Sequence, residues 1–418
     1  MILVIFIAAL LAIMSERVND TATALLALAI SAFILFTSNG ISFSSLLSTM
    51  GWDIILFIAA MMIIVSVVGA SGLFQYTAVV LAHRTGGQLR QTYLYLLIVV
   101  FVLSLFFDPL PTMLIVSPVT VEVCNAIDAD FRPFLVSEVV VANVASFPSP
   151  IGSVTNLVIV YIADINSGLM ILGLMPLTVI LFGITIWYML RYYKNELQGS
   201  EERELTDLFS IDPRTMMKSH RDFFVSIISL GALVIGLVLL PDQGAIIALV
   251  IATMLLILSG EQAKKLLQHL SWDTVFFLLG LIGVVQAMVL AGVIDDLTLG
   301  FQWLIGDNTI VAIILMLWIP GALMAPVDAK AVGVLLAPIA GNLDSTNPII
   351  PLSLTIGTNA GGYVVPFGDA PNVVVVRTAE KHLKPLSWSE FNRAVIPLGI
   401  VHLIISTVYC ALLSLFFL

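Results

Sequence analysis

Residues 145–156 read ASFPSPIGSVTN, and residues 361–372 read GGYVVPFGDAPN. Each stretch interrupts a long apolar run with prolines, glycines and a closing asparagine, Asn156 in the first and Asn372 in the second. Proline removes a backbone donor and, with glycine, breaks a helix. In hydrocarbon every freed backbone group costs several kcal/mol, so such a break persists only inside protein or along a wet cavity. Two breaks of the same kind, far apart in the chain, suggest one unit used twice.

The offset confirms the repetition. A shift of 216 residues carries Asn143 to Asn359, Pro150 to Pro366, Gly152 to Gly368 and Asn156 to Asn372. Upstream the shift is 220: LLSTMGWD at 46–53 matches LLQHLSWD at 266–273, Asp108 falls on Asp328, and Pro118 on Pro338. A fixed offset that keeps Trp, Asp, Pro, Gly and Asn is improbable by chance in a chain rich in Leu, Val and Ile.

Composition supplies the solvent. Of 418 residues, 60% are hydrophobic and only 11% charged, against roughly 25% charged in soluble domains. That charge cannot cover a watery surface, so much of the chain faces lipid. The net charge of −10 lies mostly in loops and the linker, and no basic patch points to nucleic acid. Cys124 and Cys410 form neither a disulfide framework nor a metal spacing. The histidines are scattered, and His402 reads as a packed or interfacial side chain. Residues 1–14 are apolar without a basic n-region, which reads as a first span rather than a cleaved signal peptide.

Charge also orients the halves. Segment 39–50 has no Lys or Arg, while its mate 259–270 has Lys264 and Lys265. Segment 82–92 has Arg84 and Arg90, and its mate has none; 161–168 has none, while 377–384 has Arg377, Lys381 and Lys384. Basic loops mark the cytoplasmic side, so matched loops lie on opposite sides and the repeats are inverted. The expected organisation is an N-terminal half over 1–193, a polar cytoplasmic linker over 194–221 and a C-terminal half over 222–418. The fold class is an all-α polytopic membrane protein of about ten spans, two re-entrant hairpins (91–125 and 309–341) and two broken helices (133–164 and 348–376). Parity alone does not separate hairpins from pairs of full spans; segment length favours hairpins. Both termini then lie outside.

Each hairpin is interrupted midway, by Asp108–Thr112 in the first and Pro326–Lys330 in the second. Asp108, Glu138, Asp328, Lys330 and Asp369 sit in otherwise uncharged runs. A central charge costs roughly 2.5–3.5 kcal/mol on insertion scales, so these residues should face a cavity or a partner. A local ion pair capping the hairpin tip competes with substrate contact as the reading of Asp328 and Lys330. Glu138 reads as a brace for a hairpin. Opened helix ends offer amides to anions and carbonyls to cations.

At these residues the chain resembles the ion transporter superfamily, the group with a citrate-transporter-like domain. The nearest branch is that of the arsenite pumps and the P protein, through GLFQY at 72–76, Asp108 with Thr112, Ser137-Glu138-Val139 and Pro150-Ile151-Gly152 with Asn156. The resemblance implies that the hairpin tips and broken spans line the substrate and coupling-ion sites. The chain departs from the family at Pro109 and Ala329, where Asn is usual, and at Ser153-Val154-Thr155, where Asp-Pro-Pro is common. Lys330, whose repeat mate is Leu110, stands where sodium-coupled relatives hold a cation.

The expected function is secondary active transport of a small inorganic or organic anion by alternating access, coupled to sodium or protons. One half-site would comprise Asp108, Thr112, Asn143, Ser149, Gly152 and Asn156. The other would comprise Asp328, Lys330, Asn359, Gly361, Gly362, Gly368, Asp369 and Asn372. Lys330 and the helix N-termini favour an anion; the Asp108, Asp328 and Asp369 set favours a sodium/proton antiporter. A channel lacks a filter motif, and a membrane enzyme lacks a nucleophile–base or metal cluster. No cofactor is expected beyond the coupling sodium ion or proton. The partners expected are the transported ion and the bilayer; a homodimer and a separate ATPase subunit are both compatible with the sequence.

Overall fold

A computed structural model describes residues 1–15, 17–73, 76, 80, 88–197, 219–240, 243–268, 270, 272–306, 308–323, 329–343, 347–364 and 369–417. Among these, the regular structure is helical throughout. The first half holds α1 (Ile2–Met14), α2 (Asp20–Asn39), α3 (Phe43–Ser48), α4 (Trp52–Ala70), α5 (Leu89–Ser104), α6 (Pro109–Ala126), α7 (Arg132–Ser146), α8 (Val154–Ile162) and α9 (Ser167–Tyr192). The second holds α10 (His220–Leu239), α11 (Gly244–Ser259), α12 (Gln262–Gln268), α13 (Trp272–Leu290), α14 (Val293–Ile305), α15 (Thr309–Leu323), α16 (Ala329–Leu343), α17 (Ile349–Val364), α18 (Ala370–Lys381) and α19 (Trp388–Ser414).

Six of these helices, α2, α4, α9, α10, α13 and α19, are long and apolar enough to cross a membrane. α1 has 13 residues, about 20 Å at 1.5 Å per residue, which is short of the roughly 30 Å hydrocarbon core. The first apolar run forms a helix packed on α2 and α13. α14 was not anticipated as a helix; with the start of α15 it makes a pair bent by 117°.

The packing has the symmetry of the sequence. α2 packs on α13, and α11 packs on α4. The repeat exchanges α2 with α11 and α4 with α13, so each contact is the image of the other. The same exchange relates α8 on α16 to α18 on α6, α5 on α7 to α15 on α17, and α1 on α2 to α10 on α11. α9 meets α19, its own mate. Contacts of the form A·B′ and A′·B are what two copies related by a two-fold axis produce. The tryptophans repeat in detail: Trp52 Nε1 donates to the Leu47 carbonyl at 2.9 Å and Trp272 Nε1 to that of Leu267 at 2.9 Å.

Small residues let the halves meet. At Gly280 of α13 an added Cβ would lie 2.6 Å from the Ala24 carbonyl carbon of α2. Close backbone approach through small residues replaces the hydrophobic drive that lipid cannot supply.

Candidate functional site

The first hairpin is α5 and α6, which turn at residues 105–108 and both pack on α7. Two buried ties hold it there. Tyr93 of α5 donates its hydroxyl to Ser137 at 2.6 Å, and Thr120 of α6 donates to Glu138 Oε1 at 2.6 Å. Ser137 and Glu138 are neighbours on α7, so each arm is fixed to the same turn. Glu138 thus braces the hairpin, as its position in sequence suggested.

Asp108 caps the hairpin's return helix. Its Oδ1 accepts from the Leu110 amide at 3.0 Å, an N-cap that satisfies an orphan donor. Its Oδ2 accepts from the Val154 amide at 3.1 Å, in the first turn of α8. One carboxylate therefore serves two helix N-termini, and it ties the hairpin tip to the far side of the break. Thr112, one turn into α6, is buried, and its Oγ1 has no hydrogen-bond partner among the described residues.

The break itself runs from Phe147 to Ser153, between α7 and α8. Ser149 Oγ accepts from the Gly152 amide at 3.1 Å. Gly152 sits where a Cβ would lie 2.9 Å from the Ser104 carbonyl oxygen and 3.1 Å from Ser146 Cα, so no larger residue fits. Asn156 Nδ2 reaches back across the gap to the carbonyls of Ser146 at 2.8 Å and Ser149 at 3.2 Å. The buried amide replaces the ladder bonds that the break removes. In the second half Asn372 Nδ2 donates to the Gly362 carbonyl at 2.7 Å. Both asparagines clasp the carbonyl ten residues before them.

The first clasp also meets the other half. Asn359 of α17 donates Nδ2 to Asn156 Oδ1 at 2.6 Å and to the Thr355 carbonyl at 2.7 Å, while Ser146 Oγ donates to Asn359 Oδ1 at 3.2 Å. Asn143, the mate of Asn359, donates to the Val139 carbonyl at 2.9 Å, and its Oδ1 has no partner among the described residues. Asp369 caps α18 by accepting from the Ala370 amide at 3.0 Å. Gly362 leaves room for it, since a Cβ there would lie 3.2 Å from Asp369 Oδ2. Gly361 is buried in the last turn of α17. Asp328 and Gly368 lie outside the described residues, as do residues 198–218 of the expected linker.

Two cavities flank the first break. One, of about 380 Å³, is lined by Asp108 and Lys330 together with Phe57, Met61, Ile151 and Leu157. The other, of about 830 Å³, is lined by Asp53, Tyr161, Asp164 and Asn166. Phe57, Pro150, Ile151 and Leu157 line both cavities. Lys330, in the first turn of α16, thus shares a cavity with Asp108 from the other half.

Sequence reasoning missed Ser146 and the α4 wall. Ser146 was legible as the repeat mate of Gly362, since both supply the clasped carbonyl. The α4 wall carried no signal, because an apolar residue facing a cavity and one facing lipid look alike in sequence.

A profile of the citrate transporter family matches residues 10–351. An uncharacterized transporter of Mycobacterium tuberculosis is 29% identical over 97% of this chain and 96% of its own length. The magnetosome protein MamN of Magnetospirillum gryphiswaldense is 24% identical over 85% of this chain and 86% of its own. The human P protein is 22% identical over 95% of this chain but only 58% of itself. Among solved structures, the Alcanivorax borkumensis YdaH transporter superposes with a TM-score of 0.61 at 15% identity, over 95% of this chain and 97% of that one, a likeness of fold. The profile spans well over half of the residues, and this integral membrane chain, a transporter by its relatives, belongs to the citrate transporter family.

Proposed function

We propose that the chain is a secondary active transporter that moves a small organic or inorganic anion by alternating access, coupled to protons or sodium. The observation that carries this reading is the Asn156–Asn359 contact, which joins the two broken helices next to Leu157, a residue that lines two cavities. A carrier needs a central site reached from either side in turn, and broken helices at a repeat interface are the usual way to build one. Asp108 and Lys330 place an acid and a base in one of these cavities. The hairpins and broken helices move as one unit against the remaining spans, with the linker on the cytoplasmic side.

Lys330 takes the place of a coupling cation or carries a proton itself. Asp108 and Asp369 favour a second reading, sodium/proton antiport. Uptake of citrate, succinate, arsenite, sodium and chloride into proteoliposomes, under imposed proton or sodium gradients, separates the two. If Lys330→Ala changes neither the pH dependence nor the sodium dependence of uptake, its coupling role is wrong.

A further inference from the structure

We propose that the contact of Tyr161 with the start of α4 is one of two alternating latches, and that in the opposite-facing state it is released and Arg377 pairs with Asp273 at the other membrane face. This rests on the reading of the chain as an alternating-access carrier.

Along α4 and α13 the repeat symmetry of the packing fails. α8 packs on α4, but among the described residues its image, α18 on α13, does not pack to that extent. α16 packs on α13, but its image, α6 on α4, does not. The 380 Å³ cavity lies where α4 and α6 stand apart, lined by Phe57, Met61 and Val65 from one and Leu110, Pro111 and Leu114 from the other. Two near-copies arranged without exact symmetry have a second arrangement of similar energy, in which the halves exchange contacts. Inverted-repeat carriers open to each side in turn by moving one bundle against the other around a fixed site. The exchange here seats α18 on α13 and α6 on α4, which closes this cavity and opens its counterpart between α13 and α16.

The residues at the α4–α8 contact name its counterpart. The Tyr161 ring lies on Gly51, where an added Cβ would be 2.6 Å from Cε1 and 2.7 Å from the hydroxyl oxygen. Asp53 stands beside that hydroxyl, and both residues line the 830 Å³ cavity. The shift of 220 carries Asp53 to Asp273, and the shift of 216 carries Tyr161 to Arg377. Asp273 and Arg377 are exposed, and neither side chain has a hydrogen bond or ion pair among the described residues. Once α18 reaches α13, the guanidinium can offer the carboxylate two parallel donors. An exposed ion pair is weak, which suits a latch that opens in every cycle. Asp273 and Arg377 adjoin loops rich in Lys and Arg, whereas Asp53 and Tyr161 adjoin loops with none. The two latches therefore belong to opposite faces, the second to the cytoplasmic one.

Paired cysteines in the full chain in lipid nanodiscs test this. Asp53→Cys with Tyr161→Cys reports the first latch, and Asp273→Cys with Arg377→Cys the second, under a short bifunctional maleimide; Cys124 and Cys410 are buried. Both pairs should cross-link. In a chain bearing all the introduced cysteines, each molecule should carry one cross-link or the other, never both. In the second pair, adding Tyr161→Ala should raise the cross-linking rate about fivefold, as release of the first latch shifts the population. Thermal unfolding should stay within a few degrees, and Tyr161→Phe serves if that variant misfolds. No cross-link between positions 273 and 377, both cross-links in the same molecules, or a rate unmoved by the Tyr161 substitutions would overturn the proposal. Uptake separates the two levels of the account. Gradient-driven uptake without mutually exclusive cross-links defeats this inference and leaves the carrier reading; exclusive cross-links without uptake do the reverse.

Discussion

Asn359 donates its side-chain amide to Asn156 Oδ1 across 2.6 Å, joining helices whose contact residues lie 203 positions apart. The bond is buried, and Asn156 is at the same time the clasp of its own broken helix. Asn156→Ala removes both functions; Asn359→Ala removes the cross-repeat bond, together with the contacts to the Thr355 carbonyl and Ser146 Oγ, and leaves the clasp. A double-mutant cycle read by thermal unfolding in detergent should show a coupling of about 1 kcal/mol between them. Additive effects would mean that the bond contributes nothing to holding the halves together.

Gly152 has no space for a side chain, with backbone atoms of Ser104 and Ser146 within 3.1 Å of its would-be Cβ. Gly152→Ala should destabilise the fold by about 1–3 kcal/mol, the usual cost of overpacking. Gly300→Ala is the control: nothing lies within 4 Å of a Cβ there, so its melting temperature should stay level or rise slightly. Equal melting temperatures for the two variants would refute the close packing at the break.

Asp108 accepts from Leu110 and Val154 at once. In Asp108→Asn one side-chain oxygen remains to serve two amides, and the new amide group faces an N–H. Loss of a cap costs about 1 kcal/mol. Backbone hydrogen exchange should rise at Val154 or at Leu110, whichever the asparagine abandons, and transport should fall. Unchanged exchange at both positions would show that the carboxylate does not hold the tip.

Asp130 and Arg132 secure the N-terminal end of α7, outside its membrane-crossing stretch. Arg132 Nη2 lies 2.6 Å from Asp130 Oδ2, and Glu390 of α19 stands 3.6 Å from Nη1. Partial burial opposes ionisation of Asp130, but the Arg132 hydrogen bonds and charge outweigh it and hold the carboxyl below its ordinary range. Its folded pKa is lowered, so its stabilisation is fully present above the unfolded value of roughly 3.9 and is lost as pH falls through the folded one. Asp130→Asn should lower stability at pH 7 by about 1 kcal/mol or less, since the pair is partly exposed. The deficit should hold down to about pH 5 and shrink below pH 4. A deficit that grows on acidification would contradict the assignment.

Much of this site could be read before any fold was known. The clasping asparagines, the paired breaks and the Asp108 cap on Leu110 all involve residues close in sequence, where the broken ladder leaves backbone groups that a nearby side chain must satisfy. The repeat then doubled each observation. Contacts between the halves were not legible in the same way. Nothing in the neighbourhood of Asn156 or Asn359 says that they meet, because that contact depends on how the two-fold axis places α8 against α17. The α4 wall was hidden for a different reason. In lipid, polarity does not mark which face of a helix is buried, so Phe57 and Met61 carry no periodic signal. α14 was missed because it is short and carries Asp295 and Asp296 in its first turn, so it does not stand out as an apolar run.

The central claim is that cargo crosses through the site where the halves meet, and concentrative uptake tests it most directly. Proteoliposomes holding the full chain, given an inward proton or sodium gradient and radiolabelled arsenite, succinate or citrate, should accumulate at least one of them above the external concentration. Asn156→Ala and Lys330→Ala should each reduce that accumulation tenfold or more. Uptake that only equilibrates under every gradient, or accumulation untouched by both substitutions, would contradict the account.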